Sequence, residues 1–241
     1  MSSKLLSVVI PVYNEEQYIA RVLNSVSGVE IGELWEMEVI VVNDCSTDKT
    51  LEQIDEFMAS NPDLNIRSFS LEKNEGKGAA LNRGFREATG EFILIQDADL
   101  EYDPEEYVRL LKPVNKGFAD VVYGSRFVGR QPHRILYFYH YLGNRFLTFL
   151  SNLFTNLNLT DMEVCYKLFR REYLKDIRLR EKGFGVEPEL TAKLSRVKGV
   201  RIYEVGISYY GRSYAEGKKI NWRDGVYAIY CVFKYNIWAR K

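Results

Sequence analysis

Two aspartates separated by one small residue, Asp97-Ala98-Asp99, follow the short apolar run Phe92-Ile-Leu-Ile after a single glutamine, Gln96. Paired carboxylates at a strand end suit a hard divalent cation, Mg²⁺ or Mn²⁺, which takes oxygen ligands and shares them with substrate phosphates. The same pattern also occurs as a solvated turn, so its neighbours matter. Two further strand-like runs end in polar clusters just before helical segments: Pro11-Val-Tyr13-Asn14-Glu15 and Asn43-Asp44-Cys-Ser-Thr-Asp48. In open α/β sheets ligands bind beyond the carboxyl ends of the strands. A nucleotide there needs an aromatic or proline face for its base and a carboxylate for base N–H or ribose hydroxyls. Taken singly, Asn43 and Asp44 also read as helix caps. Asn74-Glu-Gly76-Lys77-Gly78-Ala-Ala adds glycines and a lysine where a helix opens, a place where backbone N–H groups and Lys77 could hold anionic oxygens; it reads equally as an ordinary turn.

These residues are positioned by an alternation of strand and helix patterns. Residues 5–11, 38–42, 66–71, 92–96 and 120–123 read as strands, and 14–26, 51–58, 78–88 and 104–111 as helices, with Ser46 or Thr47 capping the second. Such alternation predicts βαβ units, hence an α/β fold with a mostly parallel, Rossmann-like sheet flanked by helices. After Arg130 the rhythm breaks. A long helical stretch is expected over 133–157, strands over 165–169 and 201–207 around a helix at 188–197, and a helical tail over 223–238. Without repeats or a clear linker, residues 1–241 are expected to form one domain, with a first half (1–125) built of these units and a specialised second half (126–241) carrying amphipathic helices.

Composition narrows the classes. The chain has 241 residues, 46% hydrophobic, with a formal charge of zero, so net charge indicates no nucleic acid partner. Three cysteines (Cys45, Cys165, Cys231) without CxxC spacing argue against a disulfide framework. Met-Ser-Ser-Lys has no signal-peptide character, and no apolar run is long enough to span a bilayer. Carboxylates crowd residues 87–106, whereas 121–160 hold none and include Arg126, Arg130, Arg134 and Arg145, an electropositive stretch beside the proposed metal site.

The motifs PVYNE, VVNDCSTDKT, NEGKGAALNRG, QDADLEYDPE and GSRF, in this order and spacing, resemble the family-2 glycosyltransferases of GT-A fold. Within these the chain is most similar to the polyprenyl-phosphate glycosyltransferases, such as dolichyl-phosphate mannose synthase. The resemblance implies inverting, metal-dependent transfer of a hexose from a UDP- or GDP-sugar to a dolichyl or undecaprenyl phosphate. It implies that Pro11, Tyr13, Glu15 and Asp44, with Lys77, Gly78, Asp97 and Ala98, bind the nucleotide sugar, and that Asp97, Asp99 and Glu101 hold Mg²⁺ or Mn²⁺. Glu101 stands where relatives commonly carry glutamine.

For the acceptor phosphate the candidates are Arg126, Arg145, Arg212, Lys218 and Lys219, since guanidinium forks match phosphate oxygens. Asp99 and Asp161 are the catalytic candidates, although the segment after Asp161 reads Met-Glu-Val-Cys-Tyr-Lys rather than the common Pro-Thr-Ser-Gly-Phe. Glu187 and Glu189 are alternative bases for a hydroxyl acceptor, or helix N-terminal charges. The stripe Ile135, Phe138, Tyr139, Leu142, Phe146, Phe149, Leu150 and Leu153 reads as core or as an interfacial helix. With the resemblance it implies a cytoplasmic protein held peripherally on the cytosolic face of a membrane. Alternatives are transfer to a polysaccharide, glycan or other hydroxyl acceptor, a binding module without turnover, and a nucleotidyltransferase.

Overall fold

The structure is a computed structural model that describes residues 3–129, 132, 134, 135, 137–212 and 222–239. The strands β1 (Lys4–Val12), β2 (Trp35–Asn43) and β4 (Phe92–Ile95) are apolar enough to be covered on both faces, as inner parallel strands require, while the more polar β3 (Ile66–Ser70) forms an edge of the sheet. β5 (Val121–Ser125), β6 (Lys167–Arg170) and β7 (Ile202–Gly206) complete the sheet, in the order β3-β2-β1-β4-β6-β5-β7. Only β6 runs against its neighbours, antiparallel to β4 and β5. The expected mostly parallel α/β sheet is therefore present.

The first crossover helices are α1 (Ile19–Ser27), α2 (Thr50–Ser60) and α3 (Lys77–Glu87). α1 buries Ile19, Val22, Leu23 and Val26, the expected stripe, but starts later than its pattern suggested. Asn14 adopts a left-handed φ of 51°, and its amide and side chain bond Ser46 Oγ and the Thr47 amide at 3.0 and 2.8 Å. Those bonds draw 14–18 into a turn and tie the ends of β1 and β2 together. Ser46 and Thr47, so engaged, do not cap α2; its N-cap position is Lys49, and Asp48 Oδ1, one residue earlier, accepts from the first helical amide, Thr50, at 3.0 Å.

α4 (Tyr107–Asn115) is preceded by a 3₁₀ turn at Pro104–Glu106, capped by Asp103. α5 (Phe138–Thr155), α6 (Val186–Leu194) and α7 (Trp222–Phe233) follow, the last running into a π-helical turn at Lys234–Trp238. One continuous apolar cluster extends from Leu6 to Tyr209. α5 fully buries Leu147, Thr148 and Ser151, with Leu150 and Phe154 partly buried against α7. Most of its apolar stripe is exposed instead, including Phe138 (67%) and Phe149 (62%), as is Trp222 (75%) on α7. Among the described residues, no helix is long and apolar enough to cross a membrane.

Candidate active site

β1, β2 and β4 deliver their polar ends to one edge, and each is followed by a left-handed non-glycine residue: Asn14, Cys45 and Leu100. Such backbone costs about 1–3 kcal/mol per residue and persists where its surroundings hold it. Behind β4, buried Gln96 fixes the strand end. Its Oε1 accepts from the Tyr107 and Tyr166 hydroxyls at 2.6 and 2.5 Å, and its Nε2 donates to the Asp97 carbonyl at 2.9 Å. The Asp97-Ala98-Asp99 turn is thus anchored from beneath, with Ala98 packed inward.

Asp97 Oδ1 lies 2.8 Å from Lys77 Nζ, which also reaches Glu187 Oε1 at 3.3 Å. Burial alone would raise the Asp97 carboxyl, but the Lys77 charge and hydrogen bond hold it below the usual range. Glu187 in turn pairs with fully buried Lys167, so that opposite charges alternate from Asp97 to β6. Asp99 is placed differently. Burial, then the negative charges of Asp97 and Glu101, push its carboxyl up to about 7 despite Arg212. Arg212 Nη2 sits 3.0 Å from Asp99 Oδ2, its Nε lies 3.4 Å from Glu101 Oε1, and its Nη1 lies 3.9 Å from Glu15.

Among the described residues, no three carboxylate, imidazole or thiol groups converge as a ready-made metal cage. Asp97 and Asp99 nonetheless suit a cation that binds through one or two carboxylates and completes its shell with phosphates and water. Crowded like charges relieved by one ammonium at Asp97 and one guanidinium at Asp99 are a donor set such a cation satisfies. Glu101 departs from the expected third ligand. Its Oε2 accepts from the Tyr209 hydroxyl at 2.7 Å and its Oε1 from the Arg212 amide at 2.8 Å, so it anchors the 209–212 segment.

On the nucleotide side, Tyr13 is exposed, and Pro11 and Glu15 are half-buried beside it. Asp44 is not presented to a ligand: its two carboxylate oxygens accept from the Glu75 and Gly76 amides, both at 2.7 Å. The carboxylate braces the glycine loop and consumes N–H groups expected to face an anion. Gly78 likewise serves packing, because a Cβ there would collide with the Glu181 carbonyl.

The acceptor candidates divide. Arg126 and Arg145 line a cavity of about 1010 Å³ between α5, α7 and the end of β5. Its walls combine aromatic and aliphatic side chains with several polar and charged groups, as in small-molecule sites generally. Asp161, fully buried, grips Arg126 in a fork, accepting from Nε and Nη2 at 2.7 Å and from the backbone amide at 3.0 Å. Asp161 therefore positions a guanidinium rather than standing free as a base. Arg212 faces the Asp99 carboxylate. Lys218 and Lys219, with Arg130 and His133, lie outside the described residues. Glu187 and Glu189 are both engaged: Glu189 accepts from the Arg180 and Glu181 amides and pairs with Lys193.

Two residues passed over in the sequence become prominent. Tyr209 lies under the Arg126 guanidinium at 5.2 Å while its hydroxyl reaches Glu101, linking the carboxylate edge to the cavity. Glu163 lines that cavity with a buried, unpartnered Oε1. A lone carboxylate within the apolar run Met162-Glu-Val-Cys165 was the available signal for it.

Residues 7–178 match the family described as Glycosyl transferase family 2. The dolichol-phosphate mannosyltransferase of Pyrococcus furiosus is 29% identical over 222 residues, covering 89% of this chain and 60% of that protein. An undecaprenyl-phosphate 4-deoxy-4-formamido-L-arabinose transferase of Pectobacterium atrosepticum is 39% identical over 121 residues, covering 49% of this chain and 36% of the relative. The chain thus spans under two thirds of the length of both relatives. A crystal structure of Mycobacterium tuberculosis glucosyl-3-phosphoglycerate synthase, in complex with Mn²⁺, UDP and glucosyl-3-phosphoglycerate, superposes with a TM-score of 0.72. At 21% identity, over 97% of this chain and 80% of that one, the likeness establishes the shared GT-A fold.

Proposed function

Because the chain belongs to glycosyl transferase family 2, we propose that it moves a hexose from a UDP- or GDP-sugar to a polyprenyl phosphate, with inversion. The observation that carries this reading is the junction at Tyr209, which joins an acidic strand edge to an arginine-bearing apolar cavity. An acceptor with a dianionic head and a hydrocarbon tail matches such a cavity. The two relatives named above carry polyprenyl-phosphate activities in their names, which supports the same acceptor class.

In this reading residues 1–125 hold the donor and 126–241 the acceptor. Pro11, Tyr13 and Glu15 flank the nucleoside, and Asp44 acts through the loop it braces. Asp97 and Asp99 would hold Mg²⁺ or Mn²⁺, which when bound neutralises the charge that develops on the departing nucleoside diphosphate. Lys77 keeps Asp97 ionised and oriented. Arg126, fixed by Asp161, and Arg145 receive the acceptor phosphate. Such a nucleophile is already largely deprotonated near neutral pH and needs no strong base. A hydroxyl acceptor does need one, and the engagement of Glu187 and Glu189 favours the phosphate. The exposed apolar faces of α5 and α7 would rest on the cytosolic face of a membrane.

A thermal-shift panel of UDP- and GDP-sugars with Mn²⁺ tests the donor half, since a ligand of the native state raises its melting temperature. One nucleotide class is expected to stabilise the wild type and to lose most of that effect in Asp99→Ala. No shift with any nucleotide sugar would refute the reading.

A further inference from the structure

Glu163 has a carboxyl oxygen, Oε1, that is buried and, among the described residues, lacks a hydrogen-bond partner. A buried polar atom left in this state is destabilising, so its persistence calls for a reason. The nearby cations do not supply the missing partner. Arg126 is taken by Asp161 in a two-pronged bond, and Lys167 is taken by Glu187 and the Val164 carbonyl. Glu163 nevertheless forms part of the wall of the 1010 Å³ cavity that Arg126 and Arg145 also line. Oε1 itself is sealed from the cavity, but the carboxyl that carries it belongs to the cavity wall, and a ligand entering there can supply the partner that the described residues do not.

We infer that Glu163 is the hydrogen-bond donor this cavity reserves for an anionic ligand oxygen, completing with Arg126 and Arg145 a cradle for a phosphate monoester head. The inference rests on the acceptor reading above and names a positioning group that the reading lacks. A protonated carboxyl offers one O–H, and a phosphate oxygen is a strong acceptor for it. The protonation state agrees with this role. Burial first, then the negative charge of Glu187, pushes the Glu163 carboxyl up to about 8, while Lys167 and Arg126 pull it down and Asp161 adds to the rise. Arg134, Arg145, His140 and Asp224 are the other charged or titratable groups in the cavity wall, together with tyrosines that include Tyr209. Burial and Glu101 raise the Tyr209 phenol far beyond neutrality, and Asp161 outweighs burial to keep Arg126 charged.

The sign follows from these groups. Below its folded value Glu163 is neutral and donates; above it, a second negative charge faces the phosphate and repels it. The test is calorimetric binding of a short isoprenyl phosphate from about pH 7.5 to about pH 9.5, where the monoester stays dianionic. Wild-type affinity should fall roughly tenfold or more across that window, because each pH unit above the folded value costs up to tenfold. Glu163→Gln keeps an N–H donor without a proton to lose, so its profile should be flat. Glu163→Ala should bind more weakly than wild type at about pH 7.5 while melting cooperatively.

A flat wild-type profile, a slope unchanged in Glu163→Gln, or affinity rising with pH would each overturn the assignment, the last pointing to a carboxylate that serves hydroxyl groups. Absence of binding at every pH would remove the acceptor reading itself. That result is distinct from binding with parallel profiles, which would remove Glu163 alone.

Discussion

Asp161 holds Arg126 by three hydrogen bonds: two from the guanidinium at 2.7 Å and one from the backbone amide at 3.0 Å. The guanidinium is presented to the cavity in a fixed orientation, over the ring of Tyr209. Asp161→Asn would leave a buried arginine without its counter-charge, and breaking such a pair costs about 3–5 kcal/mol. The variant should melt well below wild type and raise the KM for the acceptor more than it lowers kcat. Steady-state kinetics at fixed donor, with calorimetric melts, separate this positioning role from that of a general base, whose loss would fall mainly on kcat.

Asp99 sits among like charges, so removing its charge should not unfold the protein. Asp99→Asn is expected to melt within about 1 kcal/mol of wild type while losing two or more orders of magnitude in transfer rate. Differential scanning calorimetry and a rate assay decide this together. A large loss of stability would make Asp99 a structural residue.

Glu38 gives a test of the frame that carries the site. It accepts from Ser7 Oγ at 2.5 Å, from the Thr89 and Gly90 amides at 2.7 and 3.1 Å, and from Arg67 at 2.8 Å, pinning β2 to the turn that opens β4. Burial by itself would raise its carboxyl, but these hydrogen bonds outweigh it and hold Glu38 below the ordinary value of 4.5. A depressed folded value contributes stability that is complete above the unfolded value and fades as pH falls through the folded one. Urea titrations should therefore show Glu38→Gln destabilised by about 1–3 kcal/mol at neutral pH. The gap to wild type should narrow progressively below about pH 4.5.

The exposed faces of α5 and α7 predict a surface phenotype. Replacing Phe138, Phe149 and Trp222 by serine should leave the melting temperature nearly unchanged, since exposed substitutions typically shift stability by about 0.5 kcal/mol or less. Most of the protein that co-sediments with anionic vesicles should then remain in the supernatant. Unchanged sedimentation would mean that these side chains serve another contact.

Strands β1, β2 and β4 were legible because a strand covered on both faces must be apolar throughout, and that pattern is local. The Asp97-Ala98-Asp99 turn was legible for the same reason, as a polar stop to an apolar run. Asn14 and Asp44 were not. Their partners lie across the strand ends, at Ser46 and Thr47 and at Glu75 and Gly76, so a helix cap and a free ligand carboxylate looked alike in the sequence. Arg212 was expected on the acceptor, yet it pairs with Asp99 across more than a hundred residues of chain. Glu163 was hidden by the pairings of its neighbours, which only the packed structure reveals. The α5 stripe was visible, but only packing shows that Leu147, Thr148 and Ser151 face inward while Phe138 and Phe149 do not.

The most direct measurement is sugar transfer from radiolabelled UDP- or GDP-hexose to a short isoprenyl phosphate, with Mn²⁺ and no saccharide present. A labelled lipid-phosphate sugar that disappears in Asp99→Asn is the predicted result. No lipid product, together with efficient transfer to a saccharide hydroxyl, would contradict it.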